Sequence, residues 1–290
     1  LMDADPKLGE DTERFVKIAT ALKAEGLSAP EIIATDTAQG FILMEDLGDD
    51  LYARVTGQRP EKEAKLYLRA ADVLTVLQRM PTPDALPNYR TTEMVRAVRD
   101  TLPWLVAAPS QVDEIAQVLG NCLDRLVNTQ AVSVLRDYHA ENLLWLPDRS
   151  SVAAVGLLDF QDAALGSPAY DLASLLKDAR RDVSGPTKVA VRDRFVAAAA
   201  VDAETFYAEY AAVSAQRNLR IYGLFARLCL RDGKAHYLDM MPRVWTNLRD
   251  DLDHPALTPL RETVFAILPP PSADLRAELR SKCASIRQQS

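Results

Sequence analysis

One stretch of the chain, VSVLRDYHAENLLWL, places ionisable side chains inside an apolar frame. Asp137, His139 and Asn142 lie between leucines of the kind found in buried strands. Each polar group without a partner in such a setting costs free energy. A second apolar run, VGLLD, ends in another carboxylate, that of Asp159. Because these groups are oxygen-bearing and spaced by short strands, we ask first what chemistry they could perform together.

The two apolar runs predict a β-hairpin. Residues 142–146 and 152–160 read as strands, and the letters PDRSS between them read as a turn. A hairpin returns its second strand beside its first, which brings Asp159 next to Asn142. Magnesium prefers oxygen ligands and usually takes one or two from protein, the rest from phosphates and water. Asn142 and Asp159 are therefore predicted to bind Mg²⁺, and Asp137 to take the proton of an attacking hydroxyl in phosphoryl transfer.

Segments with the apolar spacing of helices precede and follow this hairpin in the sequence, and they indicate the fold class. Apolar residues recur at helical spacing in five segments, near residues 11–26, 61–79, 111–128, 204–230 and 235–252. A short strand, FILM, precedes the acidic turn EDLGDD. Strand and helix thus come first, and a mostly helical body with one inserted hairpin follows, which predicts an α+β fold.

Two blocks of the sequence resemble the aminoglycoside phosphotransferase and choline kinase superfamily. LRDYHAEN matches its loop His-Gly-Asp-x-His-x-x-Asn at Asp137, His139 and Asn142, but Leu135 and Arg136 replace the first His and the Gly. LLDFQDAALGSPAYDLASLL matches the second block. GFILMEDLGDDLY and the helical segment beginning QRNLRIYG resemble the bacterial branch that phosphorylates N-acetylmuramate and N-acetylglucosamine at the anomeric position. The resemblance covers almost the whole chain.

The resemblance implies a protein-kinase-like fold of two lobes. Residues 1–46 would be a small, incomplete N-terminal lobe, and residues 47–290 a large, mostly helical catalytic lobe. The letters MEDLGDD resemble the hinge between kinase lobes. There Glu45 and Leu47 would offer main-chain atoms to the adenine of ATP.

The loop that covers the nucleotide phosphates is not visible in the sequence. Neither glycine-rich phosphate motif occurs, so we expect this loop upstream of Leu1. Lys7 is the nearest candidate for the phosphate-binding lysine, with Glu10 or Glu13 as its partner.

Several other polar residues of the two blocks allow a structural and a functional interpretation. His139 either orients a group near the site or is a structural histidine, and we favour the structural role. Asp162 either assists the metal or faces solvent. Asp171 caps a helix, or by resemblance braces the catalytic loop, and Arg136 is read as structural.

Composition and charge exclude several function classes. The net charge of −7 gives no basic footprint for nucleic acid. Three widely spaced cysteines provide neither a disulfide framework nor zinc spacing. No apolar run is long enough to cross a membrane, and no signal peptide is visible, so we expect a cytoplasmic location.

The resemblance implies an ATP- and Mg²⁺-dependent kinase of a sugar, most closely an N-acetylated amino sugar at its anomeric hydroxyl. Eleven residues separate Asp159 from Asp171, too few for the activation segment of a protein kinase. Two alternatives stay open. One is a phosphotransferase that modifies an aminoglycoside antibiotic, and the other is a kinase-like binding module without catalysis.

Overall fold

The computed structural model describes residues 1–4, 11–83, 86–199 and 201–285. The strands are β1 (Met2–Asp3), β2 (Ile32–Asp36), β3 (Phe41–Met44), β4 (Asn88–Tyr89), β5 (Val132–Val134), β6 (Leu143–Trp145), β7 (Val155–Leu157) and β8 (Ala164–Gly166). The helices are α1 (Thr12–Ala24), α2 (Tyr52–Gln58), α3 (Glu63–Arg79), α4 (Thr91–Arg99), α5 (Pro109–Leu126), α6 (Ala169–Leu176), α7 (Gly185–Ala199), α8 (Ala203–Leu230), α9 (Met241–Leu252), α10 (Thr258–Ile267) and α11 (Ala273–Ser281). Among these helices none has the length and apolarity to span a bilayer.

The chain forms two compact units. The first comprises Leu1–Asn88, Ala131–Leu176 and Val183–Val201, and the second Tyr89–Gln130, Lys177–Asp182 and Asp202–Ser290. The first unit holds the strands β1 to β3 and β5 to β8, together with α1 to α3, α6 and α7. The lobes at residues 1–46 and 47–290 are a division of another kind and stay a prediction.

A small antiparallel sheet and helix α1 begin the first unit. Strand β3 is central, with β1 and β2 on its two sides, and it has the bounds that the sequence predicts. The carboxylate of Asp11 accepts a hydrogen bond from the Arg14 N–H at 2.9 Å, so Asp11 is the predicted N-cap of α1. Gly26 follows the helix at φ 75°, a conformation that favours glycine.

The predicted hairpin is confirmed. Strands β6 and β7 pair antiparallel, with Leu143 opposite Leu157 and Leu144 opposite Gly156. The second strand is shorter than the sequence predicts, because a 3₁₀ turn, Ser151–Ala154, takes the first part of the apolar run. A second antiparallel pair, β5 and β8, flanks the loop that carries Asp137.

Helix α3 packs against strands β5 and β7, and helices α6 and α7 pack against α3. All eight residues of α6 are buried, from Ala169 to Leu176. Helix α3 buries one face, which includes Leu66, Ala70 and Leu74. Arg194 of α7 donates two hydrogen bonds to the Asp72 carboxylate of α3, at 2.5 and 2.8 Å. Helix α6, which follows Asp159 in the sequence, is therefore part of the core.

The second unit is built around α8, a helix of 28 residues that was predicted over nearly the same bounds. The predicted helix over residues 235–252 is instead two elements. A 3₁₀ segment, Ala235–Met240, precedes α9, and Pro242 lies in the first turn of α9. Proline lacks an N–H and is tolerated in the first turn, so it marks where the regular helix begins.

Gly223 permits a close crossing inside the second unit. A Cβ placed on Gly223 would lie 2.5 Å from the Thr101 carbonyl oxygen, which is backbone and cannot move aside like a side chain. We expect Gly223→Ala to lower the free energy of unfolding by about 1–3 kcal/mol, measured by urea denaturation. Gly120 of α5 is a matched control, since its added Cβ would meet Val95 at an ordinary 3.5 Å. Gly120→Ala should be neutral or stabilising, and equal effects at the two positions would contradict the crossing argument.

Candidate active site

The loop between β5 and β6 carries Asp137, and its backbone is fixed by helix α6. The buried carboxylate of Asp171 accepts hydrogen bonds from the Leu135 N–H at 2.6 Å and the Arg136 N–H at 2.8 Å. The Ser174 hydroxyl donates to the Arg136 carbonyl at 3.3 Å. Arg136 lies at φ 70°, in the left-handed region. The loop is thus tied to the core immediately before Asp137.

The next two residues anchor the loop from inside. The Tyr138 hydroxyl donates to the Ala70 carbonyl of α3 at 2.9 Å. Burial raises the pKa of Tyr138 well above its ordinary value, and the neighbouring Tyr52 and Asp171 add to the effect. His139 is 5% exposed, and its carbonyl accepts the Asn142 N–H at 2.8 Å. The burial of both residues agrees with the structural role favoured for His139.

Asn142 connects Asp137 to Asp159. Its side-chain amide Nδ2 donates to the Asp137 carbonyl at 3.0 Å and to Asp159 Oδ2 at 3.1 Å. Its own carbonyl accepts the Leu158 N–H at 3.0 Å, which extends the hairpin pairing by one step. The structure therefore brings together the three residues singled out by their spacing, while their catalytic and metal-binding roles stay predictions.

Asp159 is exposed, and both of its carboxylate oxygens meet amides. Asn142 Nδ2 donates to one oxygen, and Gln161 Nε2 donates to the other at 2.7 Å. Asp159 lies at φ 55°, which an Asp tolerates better than most residues. The next residue, Phe160, is buried and stacks on Phe15 of α1, with ring centroids 4.7 Å apart. The buried ring fixes the backbone, so the carboxylate is left at the surface.

Asp137 differs from Asp159 in its surroundings. Its side chain is half-buried, and no described residue forms a hydrogen bond or ion pair with its carboxylate. The exposed carboxylate of Asp162 is likewise without a partner in the described parts of the chain, while the Asp162 carbonyl lies 3.5 Å from Arg136 Nη1. Asp137 is therefore available to a ligand in the way a general base requires.

The donor set suits magnesium better than a transition metal. Across residues 1–4, 11–83, 86–199 and 201–285, no group of three or more His, Cys, Asp or Glu side chains could hold a metal ion. The Asn142 amide nitrogen is anchored on the Asp137 carbonyl, and Asn142 Oδ1 has no hydrogen bond to a described residue. One amide oxygen and one carboxylate are what Mg²⁺ takes from a protein when phosphates and water complete its shell.

The end of the predicted hinge contacts strand β6 of the hairpin. The Trp145 N–H donates to the Asp50 carbonyl at 2.8 Å, and Leu51 forms a bridge with Leu144. The Glu45 N–H donates to the Glu31 carbonyl at 2.8 Å. Within the described residues, however, the Glu45 carbonyl and the Leu47 N–H have no hydrogen bond. One free acceptor and one free donor thus remain on the main chain at the two predicted positions.

The phosphate side of the site is described in part. Lys7 and Glu10 lie outside the described residues, and Glu13 is exposed and 3.8 Å from Lys17. A cleft of about 430 Å³ lies between β1, α1 and the segment after Asp159, and Arg14 and Gln161 are among its lining residues. Arg14, which also donates to the Ala163 carbonyl, was not singled out in the sequence, where it reads as one more polar position of an amphipathic helix.

Comparison with known families identifies this arrangement. Residues 1–213 match the profile of the phosphotransferase enzyme family, called APH. This match spans the predicted hinge, the loop that carries Asp137 and the hairpin. The chain belongs to the phosphotransferase enzyme family. The match includes the segments on which the predicted resemblance was based.

Curated relatives agree with the family assignment. This phosphotransferase is 41% identical over 266 residues to the N-acetylmuramate/N-acetylglucosamine kinase of Caulobacter vibrioides, covering 86% of this chain and 73% of that protein. It is 33% identical over 262 residues to the protein of the same name in Pseudomonas aeruginosa, covering 86% and 75%. The predicted superfamily and its bacterial branch are confirmed.

A solved structure supports the fold. The choline/ethanolamine kinase family protein from Mesorhizobium loti aligns with a TM-score of 0.59 at 13% identity, over 87% of this chain and 82% of that chain. The α+β, protein-kinase-like fold with two lobes is therefore confirmed. The phosphotransferase acts on a hydroxyl group, and the alternative of a binding module without catalysis is set aside.

Arg136 provides a test of the backbone strain in the Asp137 loop of this phosphotransferase. Because φ is 70° at this position, a residue with a Cβ is strained, and glycine is not. We expect Arg136→Gly to be more stable than Arg136→Ala by about 1 kcal/mol, measured by thermal or urea unfolding.

Both variants lack the arginine side chain, so the difference between their free energies of unfolding reports the backbone conformation at this position. Ser150 is the control position, since its φ of −117° suits any residue. There alanine should equal or exceed glycine. Equal stability of the two Arg136 variants would show that the loop relaxes out of the left-handed region.

Proposed function

We propose that this phosphotransferase is an ATP- and magnesium-dependent kinase of an N-acetylated amino sugar, acting on the anomeric hydroxyl. The observation that carries the chemistry is the double hydrogen bond of Asn142, which places the Asp137 loop beside the Asp159 carboxylate. The sugar is supported by the relatives at 41% and 33% identity, both named N-acetylmuramate/N-acetylglucosamine kinase.

Asp137 is the base of the proposed reaction. Its carboxylate has no partner among the described residues, so it can accept the proton of a sugar hydroxyl and orient that oxygen towards phosphorus. An anomeric hydroxyl is more acidic than an ordinary alcohol, which suits a carboxylate as acceptor. The main chain of the loop is fixed at Leu135 and Arg136, and Asp137 therefore starts from one defined position.

Asn142 Oδ1 and the Asp159 carboxylate are the proposed magnesium ligands. The bound ion would neutralise charge on the nucleotide phosphates during transfer. The contact of Asn142 Nδ2 with Asp159 and that of Gln161 Nε2 hold the carboxylate in one orientation. Both contacts are hydrogen bonds from neutral amides. A cation can therefore replace them at the Asp159 oxygens without leaving an unpaired charge on the amides.

The hinge is the proposed site for the nucleotide base. Adenine presents an amino donor next to a ring-nitrogen acceptor on one edge. The Glu45 carbonyl and the Leu47 N–H offer the complementary acceptor and donor. Gly156 of β7 packs closely against this segment, because a Cβ on Gly156 would lie 2.9 Å from the Leu144 Cβ and 3.3 Å from the Leu47 side chain.

An aminoglycoside is the alternative acceptor. Such antibiotics are polycations and favour a dense acidic surface. The relatives at 41% and 33% identity are named for acetylated amino sugars instead, which favours a sugar as the acceptor.

We expect Asp137→Asn to lower turnover by about a hundred- to ten-thousandfold, the usual contribution of a base. ATP affinity should change little, because the proposed magnesium ligands remain. Steady-state kinetics with N-acetylglucosamine and N-acetylmuramate, together with calorimetry of ATP binding, measure both quantities. Full turnover in the variant would contradict the role of Asp137, and a wild-type enzyme that phosphorylates kanamycin but neither sugar would contradict the acceptor.

Asp159→Ala should weaken ATP binding in the presence of magnesium by at least about tenfold. Without magnesium the variant and the wild type should bind ATP alike, since the ion provides the link. Asp162→Ala is the matched control, because Asp162 is an exposed carboxylate three residues away. Unchanged magnesium-dependent affinity in Asp159→Ala would rule out the assignment, and an equal loss in Asp162→Ala would place Asp162 at the metal as well.

A further inference from the structure

Arg149 lies in the turn of the β6–β7 hairpin and reaches two other segments of the first unit. Its Nη1 donates to the Ser28 hydroxyl at 2.9 Å, and its Nη2 forms an ion pair with Glu45 Oε1. The Ser28 hydroxyl donates onward to the Ala153 carbonyl at 2.7 Å. One guanidinium thus joins the hairpin turn, the segment before β2 and the hinge.

The hinge residue Glu45 is fixed by its side chain and by its main chain. Its second carboxylate oxygen accepts the Glu31 N–H at 3.2 Å, while its own N–H donates to the Glu31 carbonyl at 2.8 Å. The side chains of Arg149 and Glu45 are 35% and 29% exposed. An ion pair that is partly shielded from water, with a planar guanidinium holding two partners, is stronger and more directional than a pair on an open surface.

These contacts act on the main-chain groups that the hinge leaves free. Every hydrogen bond of Glu45 to the described residues uses its N–H or its carboxylate, and none of them uses its carbonyl. The carbonyl is therefore held in place without being occupied. Leu47 follows two residues later, and its side chain packs against Gly156 of the β6–β7 hairpin.

We propose that Arg149 is a positioning residue for the nucleotide base. By holding the Glu45 carboxylate, it sets the place of the Glu45 carbonyl and the Leu47 N–H, to which the base would bind. The inference rests on the proposed function, in which the hinge receives adenine. It assigns the Glu45 side chain to the support of the hinge and the Glu45 main chain to the ligand.

The test is ATP binding measured by calorimetry without acceptor sugar. Arg149→Met keeps an aliphatic stem and removes the charge, and it should weaken ATP about tenfold, the size of one charge-assisted hydrogen bond. The turnover number at saturating ATP and the KM for the sugar should stay within about twofold, since neither depends on the base contact. Arg54→Met is the control, because Arg54 pairs with Asp50 nearby at 3.0 Å on the exposed surface.

Two competitors separate positioning from a general loss of structure. Adenosine carries the base without phosphates, and its inhibition constant should rise about tenfold in Arg149→Met, as the dissociation constant of ATP does. Inorganic tripolyphosphate carries phosphates without the base, and its inhibition constant should be unchanged. A structural defect would raise both inhibition constants.

Further variants at Arg149 and Glu45 test the same role. Arg149→Lys restores the charge but not the planar fork, so it should recover part of the affinity even if Arg149→Met fails to fold. Glu45→Gln should weaken ATP binding as much as Arg149→Met does. The double variant should bind ATP no more weakly than either single variant. Unchanged ATP affinity, or a fall in turnover without a change in ATP affinity, overturns the proposal. A wild type that binds ATP but phosphorylates no sugar counts against the proposed acceptor instead, and the binding comparison still decides the role of Arg149.

Discussion

The candidate site depends on one buried carboxylate that does no chemistry. Asp171 is 2% exposed and accepts the N–H groups of two successive residues, Leu135 and Arg136. A buried carboxylate without partners would be costly, and so would two buried N–H groups, so each side satisfies the other. Because Asp171 belongs to α6, which is buried over its whole length, the loop that carries Asp137 takes its position from the core of its unit.

This anchoring explains why unusual backbone conformations persist at the site. Arg136 and Asp159 both lie in the left-handed region, at φ 70° and φ 55°. Such residues are kept there when the surroundings determine them more strongly than their own preference does. Arg136 is held on both sides, by Asp171 and by Ser174, and Asp159 is followed by a buried, stacked phenylalanine. These contacts hold the backbone in place immediately before Asp137 and at Asp159.

Much of this could be predicted from the sequence, because periodicity and spacing act locally. The hairpin, strand β3 and the long helix α8 follow from apolar patterns, and the approach of Asn142 to Asp159 follows from the hairpin. Boundaries were less certain, since an apolar run does not distinguish a strand from a 3₁₀ turn, as at Ser151–Ala154. The contact of Arg149 with Ser28 joins residues 121 positions apart. Such a contact depends on tertiary packing, and in one sequence Arg149 is simply a residue of a turn.

Three carboxylates of the chain show how surroundings separate structure from chemistry. Asp251 in the second unit is fully bonded, with Lys177 on one oxygen at 2.6 Å and with Ser214 and Asn218 on the other at 2.8 and 2.9 Å. Burial raises the pKa of Asp251, while these partners act in the opposite direction. Both carboxylate oxygens are already occupied by groups of the protein.

Asp159 is bonded through both oxygens as well, but by neutral amides at the surface, which a cation can replace. Asp137 has a fixed backbone and a carboxylate without a partner in the described chain. The buried carboxylate of Asp251 thus has all its hydrogen bonds inside the protein. Asp159, proposed for the metal, has bonds that a cation can replace, and Asp137, proposed for the proton, has a carboxylate without a partner among the described residues. Because positioning and charge account for most of the catalysis in phosphoryl transfer, this gradation is what the reaction requires of the chain.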